Sequence, residues 1–182
     1  KELFNVADYY FVDDSYFSIL NIPMVSGQSF KKDISAPNDV MISQKGADLL
    51  VLNNGWTDGV VGKSVEITEH NRNGASNISG IFNDFIMESI SSKDERPSVF
   101  FYMPQERFIE ILEKNPAFNF LILIKTRPGN NHNVMQKFTD IFNSAISRGE
   151  ARVYSLAAEQ EGEYQSERGF RNALYVGGFV IL

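Results

Sequence analysis

The last ten residues of the sequence, Ala173–Leu182 (ALYVGGFVIL), contain no charged side chain. Such a run is about half of the ~20 apolar residues that a helix needs to cross a bilayer. Arg168 and Arg171 precede it, a placement typical of a membrane–water interface. We therefore expect residues 159–182 to form a polar helix that runs into the start of a transmembrane span. The alternative is a C-terminal helix packed in a globular core.

Charge and cysteine content exclude several classes of function. The chain has a net charge of -6 and a pI near 5.0, and its 17 lysines and arginines form no block. A nucleic-acid surface needs clustered cations, so no nucleic-acid partner is expected. The absence of cysteine rules out disulfides, thiolate metal sites and cysteine nucleophiles.

The order of strand-like and helix-like segments predicts an α+β fold. Alternating or β-branched runs predict strands, and apolar residues at helical spacing predict helices, best seen around Phe138 and Phe142. Strands are expected at 4–12, 40–42, 64–68, 76–82, 98–102, 118–126 and 151–154, with 64–68 and 76–82 forming a hairpin. Helices are expected at 15–20, at 44–52 between a Ser43 N-cap and a turn at Asn53–Gly55, at 107–114, and after a turn at 128–131 up to Gly149. Asn21–Gly27 is expected to be a connector.

Strand–helix–strand patterns at both ends flank a β-rich middle part. We expect an α/β subdomain built from residues 1–37 and 97–158, with a smaller β-rich subdomain of residues 38–96 inserted into it. Residues 159–182 follow as the helix described above.

No motif in the sequence predicts a reaction. Gly59–Ser64 (GVVGKS) resembles a phosphate-binding loop, but that loop needs a glycine where this chain has Thr57, so we expect a glycine turn before a strand. His70 and His132 lie apart in segments expected to be polar loops, without the short ligand spacing of a zinc site. No serine lies in a Gly-x-Ser-x-Gly elbow. We therefore predict no catalytic residue, no metal site and no cofactor.

Four segments, in order, resemble the motifs of one protein family. Asp14–Phe30 (DSYFSILNIPMVSGQSF) resembles the family's opening motif, with Gln28 in place of the usual Arg. Val40–Leu50 (VMISQKGADLL) is similar to a strand and helix start, with Gln44 in place of the common Glu. The second pair of matching segments is Val60–Ile67 (VVGKSVEI) and Ile78–Phe85 (ISGIFNDF). With these segments the chain resembles the MacB-like periplasmic core domain of FtsX-type ABC transporter permeases, in the form found in Bacteroidetes.

This resemblance implies a fold and a cellular context. The fold would consist of a porter-like α/β subdomain with an inserted smaller β-rich subdomain. The domain would lie on the periplasmic side of the inner membrane, between two transmembrane helices, and would catalyse nothing. Its partners would be a cytoplasmic ABC ATPase subunit, its own or a second permease repeat, and a periplasmic adaptor or lipoprotein.

The segment Glu161–Arg168 (EGEYQSER) resembles the family's approach to the second transmembrane helix. The resemblance implies a stalk helix that transmits motion, with Glu163, Tyr164, Glu167 and Arg168 as its candidate functional residues. Two alternatives belong to other classes. One is an extracytoplasmic ligand-sensing domain of a membrane signalling protein, and the other is a secreted enzyme with an apolar C-terminal helix.

Overall fold

The computed structural model of the protein describes residues 7–67, 74–85, 96–115, 121–127, 131–145 and 153. These residues form six strands and four helices in an α+β arrangement. In chain order the elements are β1 Asp8–Val12, α1 Tyr16–Ile19, β2 Met24–Gly27, β3 Asp39–Ser43, α2 Gln44–Asn54, β4 Ser64–Val65, β5 Ser76–Phe82, β6 Ser98–Tyr102, α3 Gln105–Lys114 and α4 Asn131–Ala145.

The chain divides into two compact units. The first comprises Lys1–Phe85 and Asp94–Leu123, and the second comprises Ile86–Lys93 and Ile124–Leu182. All six strands and the helices α1, α2 and α3 belong to the first unit. The described element of the second unit is α4, which confirms the helix predicted after the turn at 128–131, although it begins at Asn131, within that turn.

The first unit is built on one mixed sheet in the order β1-β6-β3-β5-β2, with β4 also paired to β5. β1 and β6 are parallel, as are β3 and β5, whereas the β3–β6, β2–β5 and β4–β5 pairs are antiparallel. The β4–β5 pair is the hairpin predicted from the alternating pattern around residues 64–82.

The central strands of the sheet are buried on both faces. Val40 and Ile42 of β3 lie on one face, together with Ala47 and Leu50 of α2. Met41 lies in the core of the other face. That second core is rich in aromatic rings, which are Phe17, Phe30, Phe82, Phe100 and Tyr102. A central strand with an unbroken apolar run, here Val40–Ile42, is typical of a sheet covered on both sides.

Two segments differ from the sequence prediction. Met24–Gly27, expected to be a connector, forms the edge strand β2. Within the segment expected to be a buried strand at 118–126, residues 121–127 run without a helix, turn or bend but are not a strand of the sheet. Leu121 and Ile122 are 62% and 52% exposed, so the predicted burial is wrong for these residues. Apolar composition alone does not fix whether a segment finds a pairing partner.

The predicted division at residues 37 and 96 stays a prediction. Strands from both sides of each boundary share the sheet, since β3 and β5 lie between β6 and β2. The predicted strand at 151–154 lies outside the described residues except for Val153, which is in no strand.

Candidate functional site

The four segments that resemble the permease family meet around β5. The Gln28 backbone N–H donates to the Ser79 carbonyl at 3.0 Å, which joins the first segment to the fourth. The Gly62 N–H donates to the Ile78 carbonyl at 2.8 Å, which joins the third segment to the fourth. The segments that carry the resemblance therefore hold the sheet together, and they do so through backbone hydrogen bonds.

Ser43, at the end of β3, is 2% exposed and forms the junction between two strands and a helix. Its hydroxyl oxygen accepts from the Gly46 N–H at 3.2 Å, which caps the first turn of α2 as the sequence predicts. The same oxygen accepts from the Ser98 N–H at 3.0 Å, at the start of β6. One hydroxyl group thus satisfies two backbone donors that lie far apart in the sequence.

Asp84 provides a second contact at the N-terminus of α2. Its carboxylate oxygens accept from the Lys45 N–H, each at 3.3 Å. A carboxylate is stabilised at a helix N-terminus because unpaired N–H groups and the helix dipole are positive there. This aspartate, part of the fourth resembling segment, therefore attaches the end of β5 to the helix.

Gly27 and Gly80 allow two chains to approach closely where β2 pairs with β5. A Cβ atom at Gly80 would lie 2.7 Å from the Gln28 carbonyl oxygen and 2.7 Å from the Met24 Cε atom. At Gly27 a Cβ atom would contact the Ser79 carbonyl, and its φ of 75° is also unfavourable for other residues. Glycine is needed at both positions for β2 to reach the sheet.

The loop that resembles a phosphate-binding loop is a glycine turn before β4, as predicted. Lys63 forms an ion pair with Asp58 at 2.7 Å, and its Nζ atom lies 5.8 Å from the centre of the Trp56 ring. The hydrogen bond from Lys63 lowers the pKa of the Asp58 carboxyl. The lysine is therefore held by its own loop and does not extend towards a ligand.

Acidic side chains surround the end of β6. Burial raises the pKa of Tyr102, and the negative charges of Asp14, Glu106, Asp33 and Asp13 raise it further, in that order. The Lys32 Nζ atom lies 3.7 Å from the Glu106 Oε1 atom, and its positive charge offsets part of the negative charge of these carboxylates. Within the described residues, no group of three or more His, Asp or Glu side chains could hold a metal ion. This part of the surface is electronegative without forming a metal site.

The Tyr16 side chain, at the start of α1, is partly buried and packs against the aromatic core. Its ring is 5.3 Å from Phe100 and 5.5 Å from Phe17 between centroids. Burial, with a smaller effect from Tyr10, raises its pKa to about 12. Tyr16 therefore stays neutral at physiological pH, and we assign it a packing role.

The exposed aromatic pair on β1 was not predicted as a surface feature. Tyr9 and Phe11 lie on one face of the strand, 51% and 45% exposed, and the Phe11 ring stacks on Phe101 at 5.2 Å. The alternation in Asp8–Val12 (DYYFV) indicates which side chains share a face. It does not indicate that this strand lies at the end of the sheet.

The predicted stalk residues Glu163, Tyr164, Glu167 and Arg168 lie outside the described residues, so their role stays a prediction. The same holds for the predicted span beginning at Ala173 and for His70. Among the helices that the structure describes, none has the length and apolar content to cross a bilayer. His132 is exposed in the first turn of α4, so its expected place in a loop is wrong.

Comparison with known structures shows the fold. The chain is similar to the periplasmic region of MacB from Actinobacillus actinomycetemcomitans, with a TM-score of 0.50 and 13% identity over 78% of this chain and 58% of the other. The chain thus spans less than two thirds of that structure. A domain from Porphyromonas gingivalis described as part of a permease protein gives a TM-score of 0.49, with 13% identity over 84% and 70% of the two chains. No curated protein sequence matches the chain.

The family model described as "MacB-like periplasmic core domain" matches residues 2–141. The matched range begins before β1 and ends within α4. It includes all four segments on which the sequence resemblance rests. The porter-like α+β fold expected from that resemblance is confirmed by the sheet and by the structure of MacB. The chain belongs to the family of MacB-like periplasmic core domains of ABC transporter permeases.

Proposed function

We propose that this chain is the periplasmic domain of an ABC transporter permease in the inner membrane, and that it contributes to export or mechanotransmission without catalysing a reaction. The observation that supports this most is the family match over residues 2–141. Hydrolysis of ATP would be performed by a separate cytoplasmic ATPase subunit. The domain would contact its own or a second permease repeat, and a periplasmic adaptor or lipoprotein.

The first unit has the properties of a rigid body. The central strands of the sheet are buried on both faces, and Phe101 of one core and Phe100 of the other are almost completely enclosed. Close packing of this kind moves as a unit rather than deforming, so a displacement applied at one end reaches the other. The polar contacts described above satisfy backbone groups, and none forms a reactive pair of nucleophile and base.

The proposed route for the displacement is the segment 159–182. A continuous α-helix transmits movement along its axis because each turn is hydrogen-bonded to the next. Glu163, Tyr164, Glu167 and Arg168 would lie on this helix, between the domain and the membrane. Coupling would then depend on an unbroken helix rather than on one reactive side chain.

The test is a helix break in the intact permease. Ser166→Pro removes a backbone donor and disrupts the preceding turn, at a cost of about 3 kcal/mol or more in a helix interior. We expect transport-coupled ATP hydrolysis to be lost while the circular dichroism of the domain is unchanged, and Ser166→Ala to retain coupling. Full coupling in Ser166→Pro would overturn the mechanotransmission proposal.

A further inference from the structure

The side chain of Tyr102, the last residue of β6, is buried, yet its hydroxyl group has no hydrogen-bond partner among the described residues. The residue is 6% exposed, and its ring packs against Phe30 with 5.3 Å between the centroids. Buried polar groups are nearly always hydrogen-bonded, because an unpaired group loses its contact with water and gains nothing in return. The phenol is therefore available for a hydrogen bond to a ligand.

Carboxylates gather around this phenol because two parallel strands end side by side. Val12 of β1 pairs with Tyr102 of β6. Asp13 and Asp14 come directly after the first strand, and Glu106 lies in the first turn of α3, which follows the second. Ligands commonly bind at the carboxyl ends of parallel strands, since side chains from separate segments converge there.

The loop after Phe30 adds the carboxylate of Asp33. Phe30 packs against Tyr102, and the Lys32 Nζ atom lies 3.7 Å from the Glu106 Oε1 atom, so this loop contacts both β6 and α3. Burial raises the pKa of the Tyr102 phenol, and negative charges raise it further, so the phenol lies close to the four carboxylates of Asp14, Glu106, Asp33 and Asp13.

Two of these carboxylates have no partner within the part of the chain that the structure describes. Neither Asp14 nor Asp33 accepts a hydrogen bond or forms an ion pair there. Asp13, by contrast, accepts from two backbone N–H groups at the start of α1, at 2.9 and 3.0 Å. These bonds fix one negative charge in place, while Asp14 and Asp33 keep their oxygens free for another donor.

The lysines of the neighbouring loop do not neutralise the carboxylates. The Lys32 and Glu106 side chains are 57% and 67% exposed, and such a pair contributes little because water screens it. Lys31 donates to the Gln28 side chain at 3.0 Å. Negative charge therefore remains in excess beside the phenol. Since the described residues form no cluster suited to a metal ion, an organic cation fits this excess better.

The guanidinium group of arginine matches these partners. It is planar, always charged and carries five N–H donors, so one group can bond to two carboxylates or to a carboxylate and a phenol oxygen. The carboxylates are at least partly exposed, so water and salt would screen a single free cation. Several arginines on one segment bind more tightly, because the first contact holds the others close to their partners.

The acidic surface at the end of β6 comprises the phenol and the four carboxylates, which are Tyr102, Asp13, Asp14, Asp33 and Glu106. We propose that an arginine-rich segment of a partner protein binds to this surface, with a guanidinium group donating to the Tyr102 oxygen. That the partner is a periplasmic protein rests on the proposed function, whereas the recognition of arginine rests on the surface itself.

Calorimetric titration of the full-length permease with the peptide Arg-Gly-Arg-Gly-Arg, at low ionic strength, tests this binding. Tyr102→Phe removes the hydroxyl and leaves the net charge unchanged. We expect it to weaken binding about two- to tenfold, the effect of one lost hydrogen bond. Tyr9→Phe is the matched control, because Tyr9 packs against Phe101 in the other core of the sheet. This control should bind the peptide as the unmodified protein does.

Charge variants give a second result that does not depend on Tyr102. Asp14→Asn and Asp33→Asn should each weaken binding about two- to fivefold, the contribution of one exposed ion pair. Asparagine tolerates the φ of 61° at Asp33, so the loop keeps its conformation. Asp48→Asn is the control for net charge and should retain binding, because Asp48 is exposed on α2, which packs against the opposite face of the sheet.

Three results would overturn the proposal. The first is the absence of peptide binding to the unmodified permease. The second is unchanged binding in Tyr102→Phe, or equal losses in Asp48→Asn and Asp14→Asn, since either indicates attraction to net charge alone. The third is displacement of the peptide by an equal concentration of spermidine, which would assign the surface to small cations. None of them bears on coupling, which Ser166→Pro tests through ATP hydrolysis.

Discussion

Ser43 shows how one small side chain can join elements that are distant in sequence. Its hydroxyl accepts from Gly46 of α2 and from Ser98 of β6, and the side chain is only 2% exposed. Loss of the hydroxyl would leave the Gly46 and Ser98 N–H groups without this acceptor. An unsatisfied buried donor costs more than the hydrogen bond itself contributes.

The Ser43→Ala variant should therefore lose about 1–3 kcal/mol of unfolding free energy, measured by urea denaturation. Ser18→Ala is the control, because the Ser18 hydroxyl donates to the Ser15 carbonyl at an exposed position. This control should change stability by no more than about 0.5 kcal/mol. Equal stability losses in the two variants would contradict the junction role of Ser43.

The Tyr16 phenol makes the unfolding free energy of the first unit depend on pH in the alkaline range. In the folded protein its pKa is raised to about 12, compared with 10.0 for an unperturbed phenol. The folded state thus binds this proton more tightly than the unfolded chain does. The contribution is complete below pH 10 and is lost as the pH rises through about 12.

Replacement of Tyr16 by Phe removes the ionisable group while the ring is kept. The unfolding free energy of Tyr16→Phe should fall less steeply than that of the unmodified protein as the pH rises above 10. The measurement is urea unfolding at a series of alkaline pH values. Parallel curves for the two proteins would show that Tyr16 is not the group responsible.

At the scale of elements, the sequence predicts features that depend on neighbouring residues, and it misses features that depend on residues far away in the chain. The start and end of α2 depend on the local Ser43 cap and on Gly55, whose φ of 67° is the left-handed conformation that ends helices. Both features were legible in the sequence. β2 was missed because its pairing partner, β5, lies about fifty residues further along the chain, and four residues of MVSG contain no strong strand signal.

The close approach of β2 and β5 at Gly80 can be tested directly. Gly80→Ala should destabilise the protein by about 1–3 kcal/mol, because the new methyl group would overlap the Gln28 carbonyl. Gly46→Ala is the matched control, since a Cβ there lies at ordinary contact distance from Pro97 and alanine favours the helix. Thermal unfolding of the two variants distinguishes them, and a stable Gly80→Ala protein would contradict the observed packing.

The same argument applies to the candidate site. The sequence indicated that Gly59–Ser64 is a turn and not a phosphate loop, because a local pattern was missing. It did not indicate that Tyr9 and Phe11 lie on the outermost of the described strands, since strand order depends on contacts between β1 and β6 that are ninety residues apart. The acidic group around Tyr102 likewise comes from three separate parts of the chain.

At the scale of the whole molecule, we propose that this domain lies on the outer side of the inner membrane. The family match and the fold of MacB support this placement, and the acidic composition with no cysteine is compatible with the periplasm. The proposed coupling to a cytoplasmic ATPase requires it as well, because the stalk and the ATPase must act from opposite sides of the bilayer.

Cysteine labelling in spheroplasts tests the claim most directly. Leu52→Cys places a single thiol at a position that is 78% exposed on α2, and Ala47→Cys places one at a buried position of the same helix as the control. We predict that a membrane-impermeant maleimide labels Leu52→Cys in intact spheroplasts as fully as after permeabilisation, and that Ala47→Cys reacts only after denaturation. Labelling of Leu52→Cys only after permeabilisation would place the domain in the cytoplasm and contradict the account.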